Sequence, residues 1–238
     1  MNKVHVELSL PEGAHFYRNI YVIVYRKLMG FIHNMNCLAP REKCYTCPLS
    51  STCRYYHFTG ENFDHYPAII ISNNLFAKSI YQKEECITFD FYLIGDAVHC
   101  FQYIKVFFDD YLKQKIAGAW FYMKRIEMKS LDDSTIITNH LNVYTVIENE
   151  QFIESYNYMI LYYNQKYNTQ FQSIEPCQTV ITSSKQVHMN SLKLKTRIKR
   201  MNGYIYKISF SQPIKISDSL KETGIGNYNM IGGGYFET

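Results

Sequence analysis

The sequence lacks any run of about 18 consecutive apolar residues, so we expect no membrane-spanning helix and no membrane partner. It also has no P-loop and no G-x-S-x-G element, the motifs that mark P-loop nucleotide hydrolysis and serine-hydrolase chemistry. The adjacent acidic residues at 109–110 and 132–133 are typical of a helix surface and a loop, and they indicate no carboxylate site. The net charge is only +4, so the composition alone does not indicate a nucleic-acid-binding protein.

The first residues do not have the pattern of a secretory signal. Apolar and polar residues alternate over residues 4–10, which predicts a half-buried strand, and Glu7 interrupts the apolar segment that a signal peptide needs. Four of the seven cysteines cluster within residues 37–53, as they would in a metal site rather than in a disulfide framework. We therefore expect a cytoplasmic protein.

The chain is long enough for one large domain or two small ones, with 238 residues of which 47% are hydrophobic. The first set of predicted elements is, in chain order, a strand at 4–10, a helix at 14–33, strands at 67–72 and 87–93, a helix ending near 115 and a strand at 118–128. The first helix has an apolar stripe at Ile20, Val24, Leu28 and Phe31, and the second has Phe101, Ile104, Phe108 and Tyr111 on one face. This β-α-β-β-α-β order is that of a ferredoxin-like unit.

A second set of elements follows a polar link at residues 130–134. It contains a strand at 136–147, a helix with Phe152, Tyr156, Met159 and Tyr163 on one face, a hairpin, a short helical turn at 217–223 and a strand at 235–236. The pattern over residues 168–190 favours neither helix nor strand. The predicted fold class is therefore α+β, with two tandem ferredoxin-like domains at 1–129 and 134–238, the second of them reduced.

Strict alternation over residues 192–199 predicts a strand with one buried face and one basic face. The basic face carries Lys193, Lys195, Arg197 and Lys199. A three-residue loop at 201–203, containing Asn202-Gly203, would pair Ile198 with Tyr206 and keep apolar residues on one face. It would also set Arg197 opposite Lys207, a repulsion that an anionic partner would offset.

The stretch at 224–234, GIGNYNMIGGG, is the Gly-rich loop of this chain. Its glycines are Gly224, Gly226, Gly232, Gly233 and Gly234. Glycine tolerates positive φ and lets another backbone approach closely, and a turn with exposed N–H groups suits a phosphate. A loose loop is the alternative that the glycines alone leave open.

The basic strand, the aromatic return strand and the Gly-rich loop together resemble the CRISPR-associated repeat-processing endoribonucleases of the RAMP superfamily. The loop signature of that family, GhGxxxxxGxG, is matched at Gly224, Gly226, Gly232 and Gly234, whereas Gly233 stands where the family usually has an apolar or aromatic residue. The resemblance implies tandem ferredoxin-like domains of the RRM/RAMP type. It also implies metal-independent cleavage of precursor CRISPR RNA within its repeats, leaving 5′-hydroxyl and 2′,3′-cyclic phosphate ends.

The four clustered cysteines, Cys37, Cys44, Cys47 and Cys53, have the spacing C-x6-C-x2-C-x5-C in an insert at residues 35–60 of the first domain. Four thiols with a central C-x-x-C can surround one metal ion tetrahedrally, so we favour a structural zinc that braces a long loop. An iron–sulfur cluster is less favoured, and reduced cysteines without a metal stay open. Residues 44–55 resemble the C-x-x-C-P-L-x-x-x-C-x-Y insert of a cysteine-rich subset of the same family.

Cleavage without a metal needs a base for the ribose 2′-hydroxyl, an acid for the departing 5′-oxygen and a cation near the phosphate. The resemblance implies a catalytic histidine in or just after the first helix. The catalytic candidates are His33, His15, Tyr17 and Lys27, and His188, in the ambiguous stretch at 168–190, ranks below the other two histidines. The predicted RNA contacts are Lys193, Lys195, Arg197, Lys199, Arg200, Lys207 and the five glycines of the loop.

The expected partners are CRISPR repeat RNA and its product crRNA, to which the protein would stay bound, with subunits of a CRISPR effector complex as further candidates. The alternative function is that of a non-catalytic crRNA-binding subunit of such a complex. It would use the same hairpin and Gly-rich loop without cutting. A zinc-braced scaffold with no RNA role is the third reading.

Overall fold

A computed structural model of the chain describes residues 1–39, 42–72, 78–132, 134–193 and 198–238, with side chains for all of these except residues 62, 63, 189–193 and 198–201. The strands are β1 (Asn2–Leu10), β2 (Ala14–His15), β3 (Ile69–Ile71), β4 (Ile80–Tyr81), β5 (Glu85–Leu93), β6 (Lys115–Ile116), β7 (Ala119–Trp120), β8 (Tyr122–Ser130), β9 (Thr135–Ile147), β10 (Thr179–Lys193), β11 (Ile198–Ser217) and β12 (Phe236–Glu237). The α-helices are α1 (Ile20–Asn36), α2 (Arg54–Phe58), α3 (Gly60–Phe63), α4 (Phe101–Val106), α5 (Phe152–Lys166) and α6 (Asp218–Thr223). Short 3-10 helices lie at Cys44–Thr46, Ser50–Thr52, Gly95–Cys100 and Asn229–Ile231, and a π-helical turn lies at Phe107–Tyr111. No helix in the described ranges is both long and apolar enough to span a membrane.

Two four-stranded antiparallel sheets organise the chain, in the orders β3-β5-β1-β8 and β10-β11-β9-β12. When the four strands of each sheet are numbered along the chain, both sheets have the same spatial order, second-third-first-fourth, as expected for ferredoxin-like units. The prediction of two tandem ferredoxin-like units is therefore confirmed. The second unit is also reduced, because its second helix, α6, has only six residues.

The core of the first unit lies between its sheet and helix α1. Val4, Val6 and Leu8 alternate on the buried face of β1 and oppose Phe91, Phe89 and Ile87 of β5. The predicted apolar stripe of α1 is buried throughout, at Ile20, Val24, Leu28 and Phe31. In the second unit, α5 buries its predicted face of Phe152, Tyr156, Met159 and Tyr163.

Two helix predictions need correction. The first helix begins at Ile20 rather than at Ala14, because Ala14 and His15 form β2, which pairs with β4. The second helix is composite, since a 3-10 segment, α4 and a π-helical turn follow one another. The π-helical turn changes the helical phase, so Phe107 is buried and Tyr111, predicted for the apolar face, is 46% exposed.

A network of charged and hydroxyl groups joins the two units on the face of the first sheet opposite to its core. Lys3 Nζ on β1 lies 3.0 Å from Asp90 Oδ2 on β5 and donates to Glu222 Oε2 on α6 at 3.2 Å. The hydroxyl of Tyr92 donates to the same Glu222 oxygen, and His5 Nδ1 lies 2.7 Å from Asp90 Oδ1. Burial and the contact with Glu222 raise the pKa of Tyr92, so its hydroxyl keeps its proton and remains a donor.

The N-terminal cap of α1 provides a test of how this helix is stabilised. The side-chain oxygen of Asn19 accepts hydrogen bonds from the backbone N–H groups of Tyr21 at 3.0 Å and Val22 at 3.2 Å. Replacing Asn19 with Ala leaves these donors without that acceptor, and we expect the free energy of unfolding to fall by about 1 kcal/mol in a guanidinium titration. Asn19→Ser retains a capping oxygen and should lose much less. An equal loss in both variants would show that the cap is not responsible.

Candidate functional site

The Gly-rich loop connects α6 to β12, and four of its five glycines have a positive φ. The angles are +75° at Gly224, +90° at Gly226, +88° at Gly232 and +70° at Gly234. A Cβ atom on Gly224 would lie 2.1 Å from the carbonyl oxygen of Gly233, and one on Gly234 would lie 1.7 Å from that of Ile225. Glycine is therefore required here for backbone conformation and for close packing, which excludes the loose-loop alternative.

The backbone N–H groups of the loop are mostly used inside the protein. Those of Gly224, Ile225, Asn229, Gly232, Gly233 and Gly234 donate to backbone carbonyls. The N–H of Asn227 donates to the Glu148 carboxylate, with distances of 3.2 Å to Oε1 and 3.0 Å to Oε2. The expectation that these N–H groups form an open phosphate cradle is therefore wrong for the groups named. Contact between RNA and the outer surface of the loop remains a prediction.

The loop lies where the two units meet. Its 3-10 turn, Asn229–Ile231, comes within 8 Å of α1 and β3 by Cα–Cα distance, and α1 comes equally close to β10. Asn229 is fully buried and donates through Nδ2 to the hydroxyl of Tyr163 on α5 at 2.7 Å. The loop, the first helix and the β10–β11 hairpin thus surround one region of the surface.

The β10–β11 hairpin differs from the predicted one. Asn202 and Gly203 do not form a turn, because both lie inside β11, opposite His188 and Val187 of β10. Lys193 of β10 and Ile198 of β11 are paired at the other end of the hairpin, and the residues between them lie outside the described ranges. A glycine is needed at position 203 because β9 approaches closely: a Cβ atom there would lie 2.0 Å from the carbonyl oxygen of Ile147.

The corrected register changes the position of the basic residues. Lys207 is exposed on β11 and pairs with Ser183, so the predicted pairing of Lys207 with Arg197 is wrong. The predicted pairing of Tyr206 with Ile198 and the hairpin partner expected for Phe210 are wrong as well. Tyr206 pairs with Ser184, and Phe210 pairs with Thr179. Lys193, Lys199 and Arg200 lie at the far end of the hairpin by their backbone positions, whereas Lys195 and Arg197 lie outside the described residues. Of the six predicted basic residues, the three at the hairpin end and Lys207 therefore do not share one strand position as predicted.

The predicted catalytic residues separate into two places. His15 and Tyr17 lie together before α1, with ring centroids 4.2 Å apart, and Tyr17 is 88% exposed. His33 lies in the last turn of α1, where its ring meets Tyr55 edge-on at 4.9 Å. Lys27 is exposed between them. His15 therefore lies in β2 before the helix, whereas His33 lies about 20 Å along α1 from its first residue.

The four clustered cysteines and His33 line one cavity of about 270 Å³. None of the seven cysteines, all within the described ranges, forms a disulfide. Burial, followed by the nearby thiols of Cys44, Cys53 and Cys37, raises the pKa of the Tyr55 hydroxyl, which lines the same cavity. No group of three His, Cys, Asp or Glu side chains among the described residues is arranged to hold a metal ion as it stands. The metal site therefore remains a prediction.

His188, which the sequence ranks below His33 and His15 as a catalytic candidate, lies beside the Gly-rich loop. His188 is exposed on β10, opposite Asn202, and the hydroxyl of Tyr228 in the loop donates to the Asn202 carbonyl oxygen at 3.2 Å. Strand β10 is exposed along most of its described side chains, so residues 168–190 lack the apolar alternation that would have predicted a strand.

The glycines give the loop a direct stability test. Gly234→Ala should lower the free energy of unfolding by roughly 2–4 kcal/mol, because the new Cβ meets the Ile225 carbonyl at a strained φ. Gly30→Ala is the matched control, since Gly30 is exposed inside α1 with nothing within 4 Å of the added Cβ. The control should be neutral or slightly stabilising in the same denaturant titration. A stable Gly234→Ala protein would contradict this packing.

Comparisons with known proteins agree with this architecture. The family model AF_1859_N, described as an N-terminal domain, matches residues 27–152. A solved structure of the CRISPR associated protein Cas6 is 11% identical with a TM-score of 0.52, over 100% of this chain and 98% of that one. The structure of a Cas6-related gene from Pyrococcus furiosus is 13% identical with a TM-score of 0.53, over 99% of this chain and 97% of that one. A RAMP protein binding different RNA substrates is 14% identical with a TM-score of 0.50, over 100% and 99% of the two chains. No curated protein matches the sequence. At these identities the structures show that the chain shares the fold of Cas6 and RAMP proteins.

Proposed function

The chain belongs to the AF_1859_N family, and on that premise we propose that it is an endoribonuclease that cleaves precursor CRISPR RNA within its repeats. One observation carries the proposal. In a chain with the Cas6 fold, a Gly-rich loop with the family signature packs beside α1 and is hydrogen-bonded to the hairpin that carries the basic residues. In this proposal the Gly-rich loop, the basic end of the hairpin and a candidate acid–base group act together on the RNA.

The proposed reaction uses a nucleophile that the RNA itself supplies. The ribose 2′-hydroxyl attacks the neighbouring phosphorus, and the products are a 5′-hydroxyl and a 2′,3′-cyclic phosphate. The protein then needs to move protons and to offset the charge on the phosphorane, which histidine and lysine or arginine side chains can do without a metal ion. His15 with Tyr17 is the more accessible candidate pair, because both are exposed, whereas His33 faces the cysteine cavity.

RNA contacts are assigned to the far end of the hairpin and to the surface of the loop. The contacts are Lys193, Lys199 and Arg200 at the far end of the hairpin and Lys207 further along β11. Lys195 and Arg197, which lie outside the described residues, remain RNA contacts expected from the sequence. Such contacts hold the backbone of the RNA without reading its sequence. The protein would stay on the crRNA after cutting and present it to the subunits of an effector complex.

A structural zinc in the cysteine-rich insert is a separate part of the proposal. Four thiols and the His33 imidazole line the same cavity, and this is a donor set that suits zinc better than magnesium or calcium. Binding would draw the 3-10 turns at Cys44–Thr46 and Ser50–Thr52 towards the end of α1. The zinc would brace this insert and take no part in the reaction.

The alternative is a non-catalytic crRNA-binding subunit of an effector complex. The different surroundings of the two histidines favour it, because His15 lies against the exposed Tyr17 whereas His33 lines the cysteine cavity, and no hydrogen bond or ring contact joins either of them to the Gly-rich loop among the described residues. In this case the hairpin and the Gly-rich loop would bind the repeat without cutting it.

Cleavage is tested with purified protein, a labelled CRISPR repeat RNA from the same source, and EDTA. We expect a single cut with a 2′,3′-cyclic phosphate end, and a loss of about 100-fold or more in the single-turnover rate of the catalytic histidine variant. The variants are His15→Ala and His33→Ala, and His99→Ala, an exposed histidine of the 3-10 helix at Gly95–Cys100, is the control. Tight binding without any cut would favour the crRNA-binding subunit instead.

Zinc binding is tested by elemental analysis of the purified protein. We expect about one zinc ion per chain, lost together with part of the thermal stability in Cys44→Ser and Cys47→Ser. Cys177→Ser lies outside the insert and should keep both the metal and the stability. If the native protein contains neither zinc nor iron, the zinc proposal is wrong and the cysteines are reduced thiols without a metal.

A further inference from the structure

His188 on β10 is held in a defined orientation by the neighbouring strand. Its ring nitrogen Nδ1 is hydrogen-bonded to the side-chain oxygen of Asn202, the residue directly opposite on β11. An amide oxygen can only accept, so Nδ1 carries the proton in this pair. In the neutral ring the other nitrogen, Nε2, is then an acceptor, and it has no partner among the described residues.

The same asparagine ties His188 to the Gly-rich loop. The backbone carbonyl of Asn202 accepts a hydrogen bond from the hydroxyl of Tyr228 at 3.2 Å, and Tyr228 lies between the two pairs of glycines that shape the loop. The N–H of the preceding residue, Asn227, is held by the Glu148 carboxylate. The position of the His188 ring is therefore fixed relative to the Gly-rich loop.

The alternation of β11 shows which way His188 faces. Alternate residues of a strand share a face, so the side chains of Asn202, Tyr206 and Phe210 lie on one face of β11. The ring of Phe210 packs against Phe152 on α5, with ring centroids 6.1 Å apart. His188 is paired with Asn202 and shares this helix-bearing face. It is exposed there, on a strand that approaches α1.

Resting on the endoribonuclease function proposed above, we propose that His188 is the general base of RNA cleavage. Neutral Nε2 takes the proton of the ribose 2′-hydroxyl as the 2′-oxygen bonds to the scissile phosphorus and the bond from phosphorus to the 5′-oxygen breaks. The catalytic histidine identified by the His15 and His33 variants above protonates the departing 5′-oxygen, and it recovers its proton from the His188 imidazolium through water. Asn202 is a positioning residue, because it keeps the proton on Nδ1 and aims Nε2 at the substrate.

The test measures single-turnover cleavage of labelled repeat RNA by the native protein and by His188→Ala, His188→Gln and His140→Ala. We expect both His188 variants to cut about 100-fold or more slowly, since neither side chain can take up a proton. RNA affinity should stay within about threefold of native, because the lost group acts in the chemical step. His140, an exposed histidine of β9, is the matched control and should cut at the native rate.

Added imidazole separates a chemical role from a structural one. It should restore part of the rate of His188→Ala, since it supplies the missing base, and it should not change the rate of the native protein. A native protein that cuts, together with His188 variants that cut at the native rate or are not rescued, would overturn the assignment of His188 while leaving the endoribonuclease intact. A native protein that does not cut would overturn both, and this result is recognised before any variant is compared.

Discussion

Backbone contacts that only glycine permits hold the Gly-rich loop in its shape, and the position of the candidate site follows from them. Gly224, at the end of α6, packs directly against the backbone carbonyl of Gly233. The Ile225 N–H donates to the Gly234 carbonyl at 3.0 Å. The Gly234 N–H donates in turn to Val146 on β9 at 3.0 Å. The loop is therefore attached to the central part of the second sheet, and its 3-10 turn is placed against α1 and β3 of the first unit.

The fold was largely predictable because burial gives each element a period. The alternation of β1 and the stripe of α1 mark one covered face each, and both were predicted correctly. The errors arose where local signals had another cause. The dipeptide Asn202-Gly203 has the composition of a turn, yet Gly203 serves the close approach of β9, which depends on a contact distant in sequence. The π-helical turn at Phe107–Tyr111 likewise shifts the helical phase in a way that spacing alone cannot show.

The candidate site was less predictable than the fold, because it is assembled from segments distant in sequence. The sequence marked the Gly-rich loop but predicted that its N–H groups would be open to a phosphate. In the structure the loop packs tightly instead, and most of its N–H groups donate to internal acceptors such as the Glu148 carboxylate and the Val146 carbonyl. The sequence placed His33 and the cysteines close together in the chain, and the structure shows that they line one cavity. The sequence ranked His188 below His33 and His15, because the case for it rests on its contact with Asn202 across the hairpin and on the contact of Asn202 with Tyr228.

The position of β12 beside β9 has a consequence for how the protein forms during synthesis. The Tyr235 N–H donates to Thr145 Oγ1 across a separation of 90 residues, and Phe236 pairs with Val143. Strand β9 thus emerges from the ribosome long before its neighbour on that side, while β1, β5 and β8 of the first unit are already complete. Such a non-local pairing closes late and slowly. The first unit can fold while translation continues, whereas the Gly-rich loop, and with it the surface proposed to bind RNA, can assemble only after residue 237 has left the exit tunnel.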